Sequence, residues 1–205
     1  MSKYYIRHME LSELEGFYER IQRDFSQGEY SPYPIIYQHL QNGLQKGLIF
    51  CEGEQDLAYS FCTDNHDNSY VLISLLAVFK EYRSQGIGSA FMKRLRLMYK
   101  EKQSLIVEVE RPDQAKTQEE VNYRRRRIEF YAKAGLYLIE GVDYSIWDIP
   151  MHLMALPLVA SKKTINYDIR RSMHELYLSL MGEELIHKLQ FPSTMSPCLQ
   201  ALPEN

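Results

Sequence analysis

The chain has 205 residues, 45% hydrophobic and 25% charged, with 24 Lys and Arg against 27 Asp and Glu for a formal charge of −3. That composition is ordinary for a folded, water-soluble domain and excludes a disordered chain, a collagen and a disulfide-stapled miniprotein. No apolar run is long enough to span a bilayer, no apolar signal core follows Met1, and Cys51, Cys62 and Cys198 lack metal-ligand spacing, so the expectation is a cytoplasmic protein with no membrane partner and no metal.

Lys3 to Met9 reads as a short strand. Leu11, Leu14, Phe17, Tyr18 and Ile21 recur at helical spacing and predict a helix over Leu11 to Phe25, with Ser12 as its candidate cap. Two prolines make Ser31 to Pro34 a loop, and Ile35 to Gln45 reads as a second helix closed by Gly47. Leu48 to Glu52 and Leu57 to Thr63 flank a polar turn and predict a hairpin. Asp64 to Asn68 is turn chemistry leading into a strand over Tyr70 to Phe79. From Gly86 the period changes, and Ile87, Phe91, Leu95 and Met98 mark one face of a helix reaching toward Lys102. Ser104 to Glu110 is a strand, Arg111 to Gln118 a loop, and Glu119 to Ala134 a helix ended by Gly135. Leu136 to Val142 and His152 to Val159 are strands around an irregular aromatic segment. Asn166 to Leu189 is amphipathic with an interruption at Gly182, and the last residues, with three prolines, read as a loose tail. These boundaries predict one domain over residues 1–160 and a C-terminal helical extension and tail, 161–205, packed on it.

The near-neutral total hides an asymmetry. Between Lys80 and Lys133, 14 basic residues face 8 acidic ones, while the rest of the chain holds 10 basic against 19 acidic. A basic centre in an acidic protein suits a polyanionic ligand, against the plainer reading of a solvated helix; no nucleic-acid motif accompanies it, so no nucleic-acid partner is expected. The stretch Lys80-Glu81-Tyr82-Arg83-Ser84-Gln85-Gly86-Ile87-Gly88, set between a strand and a helix, is where such a ligand belongs. Amides at a helix N-terminus are unpaired, the helix dipole is positive there, glycines allow close approach, and Arg83 adds a full charge. A P-loop is excluded, because Gly88-Ser89-Ala90 lacks the lysine. A dinucleotide fingerprint fits poorly: Phe91 replaces the third glycine, and six residues separate Phe79 from Gly86, although Glu108 lies about where a ribose-binding acid would sit.

What the stretch does match is the GNAT acetyltransferase pattern Arg/Gln-x-x-Gly-x-Gly/Ala, with Leu76-Ala77-Val78 ahead of Arg83-Ser84-Gln85-Gly86-Ile87-Gly88. Farther on, Arg127-Ile128-Glu129-Phe130-Tyr131-Ala132-Lys133-Ala134-Gly135-Leu136 is similar to that family's Phe-Tyr-x-x-x-Gly-Phe helix end. The chain thus resembles the GNAT superfamily of acetyl-CoA-dependent N-acetyltransferases from Lys3 to Val159. The resemblance implies an α/β fold: a mixed, mostly antiparallel sheet with flanking helices, a V-shaped split between two central parallel strands, and here an extra C-terminal helix. It also implies acetyl-CoA as cosubstrate and a primary amine of a small molecule or peptide as acceptor, joined by direct attack in a ternary complex.

Carried onto this sequence, the backbone of Leu76, Ala77 and Val78 pairs with the pantetheine arm. The amides of Ser84, Gln85, Gly86, Ile87, Gly88 and Ser89 hold the pyrophosphate, and Asn122 is the displaced equivalent of a cofactor-binding asparagine. Tyr131 takes the general-acid position, against the plainer reading of a packed core tyrosine. Ser74 stands where many relatives carry a glutamate base, so the base is sought on the next strand. Glu108 and Glu110 alternate with valines and face one side there, either as base or as a solvated face. Arg124 and Arg127 share a helical face with Tyr131 and suit phosphate or an acidic acceptor. Tyr30, Tyr33, Tyr37, Asp143, Tyr144, Trp147 and Asp148 occupy the segments that select the acceptor, and aromatic faces with acids suit a cation. Cys62 and His66 read as structural. The C-terminal helix packs on its own domain or forms a homodimer seam. Two alternatives stay open: a non-catalytic acyl-CoA-binding module and a dinucleotide-binding oxidoreductase.

Overall fold

Alternating apolar residues build the strands and the 3.6-residue stripes build the helices, in the order the sequence predicts. The computed structural model describes residues 3–65, 67 and 69–192; the tail with Cys198, and His66, lie outside them. The elements are β1 (Tyr4–His8), α1 (Leu14–Asp24), α2 (Tyr33–Gln41), β2 (Gln45–Glu52), β3 (Gln55–Asp64), β4 (Tyr70–Val78) and α3 (Ile87–Met98). They continue with β5 (Ser104–Glu110), α4 (Gln118–Lys133), β6 (Tyr137–Leu138), β7 (Tyr144–Ile146), β8 (Ile149–Pro157), α5 (Lys162–Leu185) and β9 (Leu189–Gln190). Among the described residues the strands form one sheet in the order β1-β2-β3-β4-β5-β8-β7-β9, with β6 beside β8. Every pairing is antiparallel except β4 with β5. This is the mixed sheet that the resemblance implies. Among the described residues, no helix is long and apolar enough to cross a membrane.

Several boundaries differ from the sequence reading, each for a local reason. The first helix is capped without Ser12: a 3-10 turn at Leu11–Glu13 precedes α1, and the Glu10 N–H donates to the Glu13 carboxylate at 2.8 Å. α2 starts at Tyr33 inside the expected loop, because Pro34 falls in the first turn, where the missing N–H has no partner to lose. It ends at Gln41, and Gly47 belongs to β2 opposite Phe61, where a Cβ would lie 2.8 Å from that of Met9. α4 begins at Gln118 because the Thr117 hydroxyl accepts the Glu120 N–H at 3.2 Å. The expected strand over Leu136–Val142 shrinks to β6. The aromatic segment after it is the β7–β8 hairpin, turned by Trp147 and Asp148 at φ of 52° and 62°.

The two sheet faces carry different helices. On one, α3 and α4 cover Leu48, Phe50, Val71, Ile73, Leu105, Val107 and Val109. On the other, α1 and α2 cover Ile49, Tyr59, Phe61, Leu75 and Ala77, and α5 covers Tyr70, Leu72, Ile106 and Ala155. α5 buries Ile165, Ile169, Met173 and Leu176 completely, each worth roughly 1.5–3 kcal/mol on removal from water. β9 then returns the chain to pair with β7, so the C-terminal segment is sewn into the sheet.

One irregularity shapes the centre. Phe61 pairs with Leu75 and Cys62 with Ile73, so Ser74 is an extra residue in β4, a β-bulge. The parallel pairing of β4 with β5 runs from Tyr70–Ser104 to Ile73–Val107 and stops there. Beyond it β4 stays with β3 through Val78, and β5 stays with β8 through Glu110. The strands part, and the expected V-shaped split is present.

Docking of α5 is open to test by Leu176→Ala. It should lower the urea-unfolding free energy by about 2–5 kcal/mol, as fully buried leucines do; a loss below about 1 kcal/mol would mean the helix is not anchored as described.

Candidate functional site

The split exposes main chain. The Phe79 N–H bonds the Leu57 carbonyl at 2.9 Å, which fixes the phase of the ladder: Ala77 and Leu75 turn their polar groups toward β3. Leu76 and Val78 therefore face the opening. Of the three residues expected to meet an extended ligand, Ala77 is corrected: its backbone is committed to the sheet.

At the mouth, a 3-10 turn at Lys80–Tyr82 leads through Ser84 (φ 62°) and Gly86 (φ 78°) into α3. Ser84, Gln85, Gly86 and Ser89 are exposed, and nothing lies within 4 Å of the position a Gly86 side chain would take. The first amides of α3, at Ile87, Gly88 and Ser89, lie at a helix start, where N–H groups lack intrahelical partners, as an anion site requires. Gly88 has a different task. A Cβ there would sit 3.1 Å from Phe130 and 3.4 Å from Val78, so its absence lets α3 close on α4 and β4. The Arg83 guanidinium, expected to add charge to an anion site, has partners within the chain. It donates to the Val78 carbonyl at 2.9 Å and pairs with Asp24 at the end of α1, which also accepts from the Tyr59 hydroxyl. Arg83 holds the loop's shape.

Tyr131 lies on the α3–α4 face of the split, 5% exposed, with its ring 5.0 Å from that of Phe130. Burial pushes its phenol pKa up, and the Arg127 guanidinium one turn earlier pulls it back. Arg127 reaches Glu29, in the connection between α1 and α2, at 3.1 Å. Arg127 is therefore matched to an acid of this chain and coupled to Tyr131. Arg124 likewise pairs with Glu110 at 2.8 Å and donates to the Arg111 carbonyl at 2.9 Å. That ion pair engages one Glu110 oxygen with a cation of this chain, which sets it apart from Glu108.

Glu108 is the first residue of β5 past the parallel pairing, and it points to the opposite face from Tyr131. Its carboxylate accepts from the Tyr177 hydroxyl of α5 at 2.7 and 2.8 Å and from the Tyr144 hydroxyl of β7. Burial pushes its pKa up, while the two hydroxyls pull it down. Asn122 is exposed, and its side-chain oxygen accepts from the Gln118 side chain at 3.2 Å. Cys62 is a buried free thiol pushed up to about 11 by burial, which fits a structural role. Among the described residues, no group of three or more His, Cys, Asp or Glu side chains converges as a metal site would require. On the α1–α2 side, Tyr18 meets Tyr30 and Tyr33 edge-on at 5.8 and 5.3 Å, and Tyr33 meets Tyr37 at 6.1 Å. Sequence reasoning missed Tyr177, Asp24 and Glu29. Asp24 lies 59 residues from Arg83, Tyr177 69 from Glu108 and Glu29 98 from Arg127, and no spacing rule reaches that far.

Family models and curated protein sequences give no match to this chain. Solved structures do. A Bacteroides thetaiotaomicron protein assigned to the GNAT acetyltransferase family is similar at 20% identity and a TM-score of 0.70, over 87% of this chain and 98% of that one. The ribosomal-protein-S18-alanine N-acetyltransferase of Escherichia coli is similar at 18% identity and 0.56, over 78% and 97%. A Bacillus subtilis acetyltransferase, solved in complex with CoA, is similar at 13% identity and 0.55, over 77% and 100%. The chain has the GNAT fold.

A raised Glu108 pKa has a stability consequence of definite sign. Folding favours the protonated form, so the stability it contributes is full below the ordinary carboxylate range and is lost as pH rises through the raised value. Glu108→Gln removes that loss. The melting temperature of the variant should fall less than the parent's between about pH 5 and about pH 8; parallel melting curves would show that Glu108 is as well solvated folded as unfolded.

Proposed function

We propose that this chain is an N-acetyltransferase that moves acetyl from acetyl-CoA to a primary amine. One observation carries the reading: the β4 edge that β5 leaves unpaired, at Leu76 and the Val78 N–H, leads to the helix-start amides of Ile87, Gly88 and Ser89, while Arg83 bonds the Val78 carbonyl. An extended pantetheine fits the first as an added strand and a diphosphate fits the second, in the order the two occur in CoA. The Bacillus subtilis neighbour with CoA supports the same ligand, and the Escherichia coli neighbour, an alanine N-acetyltransferase, supports an amine acceptor. Free, buried thiols at Cys51 and Cys62 support a reducing compartment, the cytoplasm.

A thioester laid along the split has Tyr131 on one side and Glu108 on the other. The amine nitrogen attacks the thioester carbonyl carbon and forms the C–N bond, and the C–S bond breaks. An acceptor that arrives as an ammonium gives one proton to Glu108 before its nitrogen attacks; the departing thiolate takes the Tyr131 proton, and the acylated nitrogen loses its surplus proton to solvent. The products are the acetamide and free CoA thiol. Burial keeps Tyr131 protonated at neutral pH, ready to donate, and Arg127 stabilises the phenolate left behind until solvent reprotonates it.

Saturating acetyl-CoA, at about 100 times its Kd, should stabilise the chain by about 2.7 kcal/mol and raise the melting temperature by roughly 5–10 °C. NADH should not; a shift with NADH and none with acetyl-CoA would overturn the reading. Tyr131→Phe should retain the acetyl-CoA shift while slowing CoA thiol release to amines by about 10²–10⁴-fold. An unchanged rate removes Tyr131 from the mechanism.

A further inference from the structure

We propose that Tyr177, on the C-terminal helix, is a positioning residue for this reaction: with Tyr144 it holds the Glu108 carboxylate at the split as a seat for a cationic acceptor amine. The inference rests on the transferase reading above and assigns to α5 a part in the acceptor site.

Three features of the geometry support it. First, Glu108 directly follows Val107, the last residue of β5 paired with β4, so its side chain stands at the crotch of the split. It lies on the face that carries α1, α2 and α5, opposite Tyr131, and part of its residue surface remains accessible. Second, both groups bound to the carboxylate are neutral hydroxyls. A carboxylate withdrawn from water without a cation is expensive, so the site has an unmet preference for positive charge. Third, each tyrosine brings a single proton, whereas an ionised carboxylate accepts about four hydrogen bonds. Acceptor capacity is left for amine N–H groups. Packing alone asks for no hydroxyl at either position, since a phenylalanine fills the same space.

The surroundings leave the Glu108 pair of hydroxyls in control of its protonation. On its own strand Glu110 is taken up by Arg124 of α4. Directly opposite on β8 is Leu153, and next to it His152 lies near Arg111 and Asp113. On β4 the nearest polar side chain is Ser74, bound to Gln45 and the Phe61 carbonyl. From α2, the His39 imidazole lies near the Leu180 backbone of α5, one turn beyond Tyr177. The Tyr177 bond lowers the Glu108 pKa, so removing it moves that pKa up.

The test measures CoA thiol release by the full chain with a fixed panel of primary amines: spermidine, an aminoglycoside, an alanine-ended peptide and a lysine peptide. Tyr177→Phe should raise the KM for the accepted amine by about tenfold or more, the loss of one hydrogen bond to a charged group. It should also move the acidic limb of the kcat/KM profile upward, because the Tyr177 hydroxyl holds the Glu108 pKa down, and leave the acetyl-CoA melting shift unchanged. Tyr144→Phe removes the second donor and should act in the same direction, which keeps the test decisive if the α5 variant folds poorly. An unmoved amine KM and an unmoved limb in both variants would overturn the inference while acetyl-CoA binding and the Tyr131→Phe effect stand. An absent acetyl-CoA shift in the parent chain would overturn the transferase reading and this inference with it.

Discussion

The extra residue at Ser74 is the constraint on which the site depends. Up to Ile73, odd-numbered residues of β4 face α3 and α4; after the bulge, Leu75 and Ala77 face α1 and α2. One inserted residue reverses the faces and rotates the edge of the strand away from β5. The bulge is held by polar contacts: the Ser74 hydroxyl donates to the Phe61 carbonyl and accepts from Gln45, each at 3.1 Å. Because β3 keeps its grip on β4 and β8 keeps its grip on β5, the gap between them is a rigid feature, braced from both sides. Everything proposed for the site uses that gap.

Charge around the gap follows a consistent plan. Arg83 is matched by Asp24, Arg124 by Glu110 and Arg127 by Glu29. The basic surplus between Lys80 and Lys133 is therefore spent partly on acids from both within that segment and the acidic flanks. In the proposed reading a diphosphate meets the amides of the α3 start more directly than it meets arginines, which are already paired. Such amides are fixed dipoles that need no reorganisation, and they do not attract anions indiscriminately from solution as exposed guanidinium groups do. Arg127 gains a second use from its pairing, since Glu29 holds it where it bears on Tyr131.

Local patterns made most of this legible. The helical stripe from Ile87 to Met98, the alternation in Ser104–Glu110 and the two glycine-containing motifs located α3, β5 and α4 and placed Tyr131 on its helix. Local chemistry also misled. Pro32 and Pro34 argued for a loop, yet a proline in a first helical turn is compatible with α2. The least legible features were tertiary. Ser74 was visible only as a missing glutamate, because a bulge is defined by a partner strand. Glu108 and Glu110 looked equivalent by periodicity, and they differ because Arg124 reaches one and tyrosines from β7 and α5 reach the other. Tyr177 sat in an amphipathic stripe that reads as packing, and its hydroxyl is told apart only by what it touches.

The arrangement also bears on whether acetyl is transferred directly or through the enzyme. A covalent route needs a nucleophile at the split, activated by a base or by a lowered pKa. The cysteine packed against this core, Cys62, is buried and its thiol is pushed up, which makes the reactive thiolate scarce at neutral pH. Tyr131 is likewise pushed toward its protonated form, which suits an acid and not a nucleophile. In the proposed reading the groups that line the gap are instead separated by the sheet, Tyr131 as proton donor on the side of α3 and α4 and the Glu108 carboxylate on the side of α5. That separation matches a single displacement, in which proton loss from nitrogen and proton gain by sulfur occur at opposite faces of one thioester. It also explains why the C-terminal segment is built into the sheet through β9: a helix that helps hold the carboxylate must be fixed relative to β5, and the β7–β9 pairing supplies that fixation.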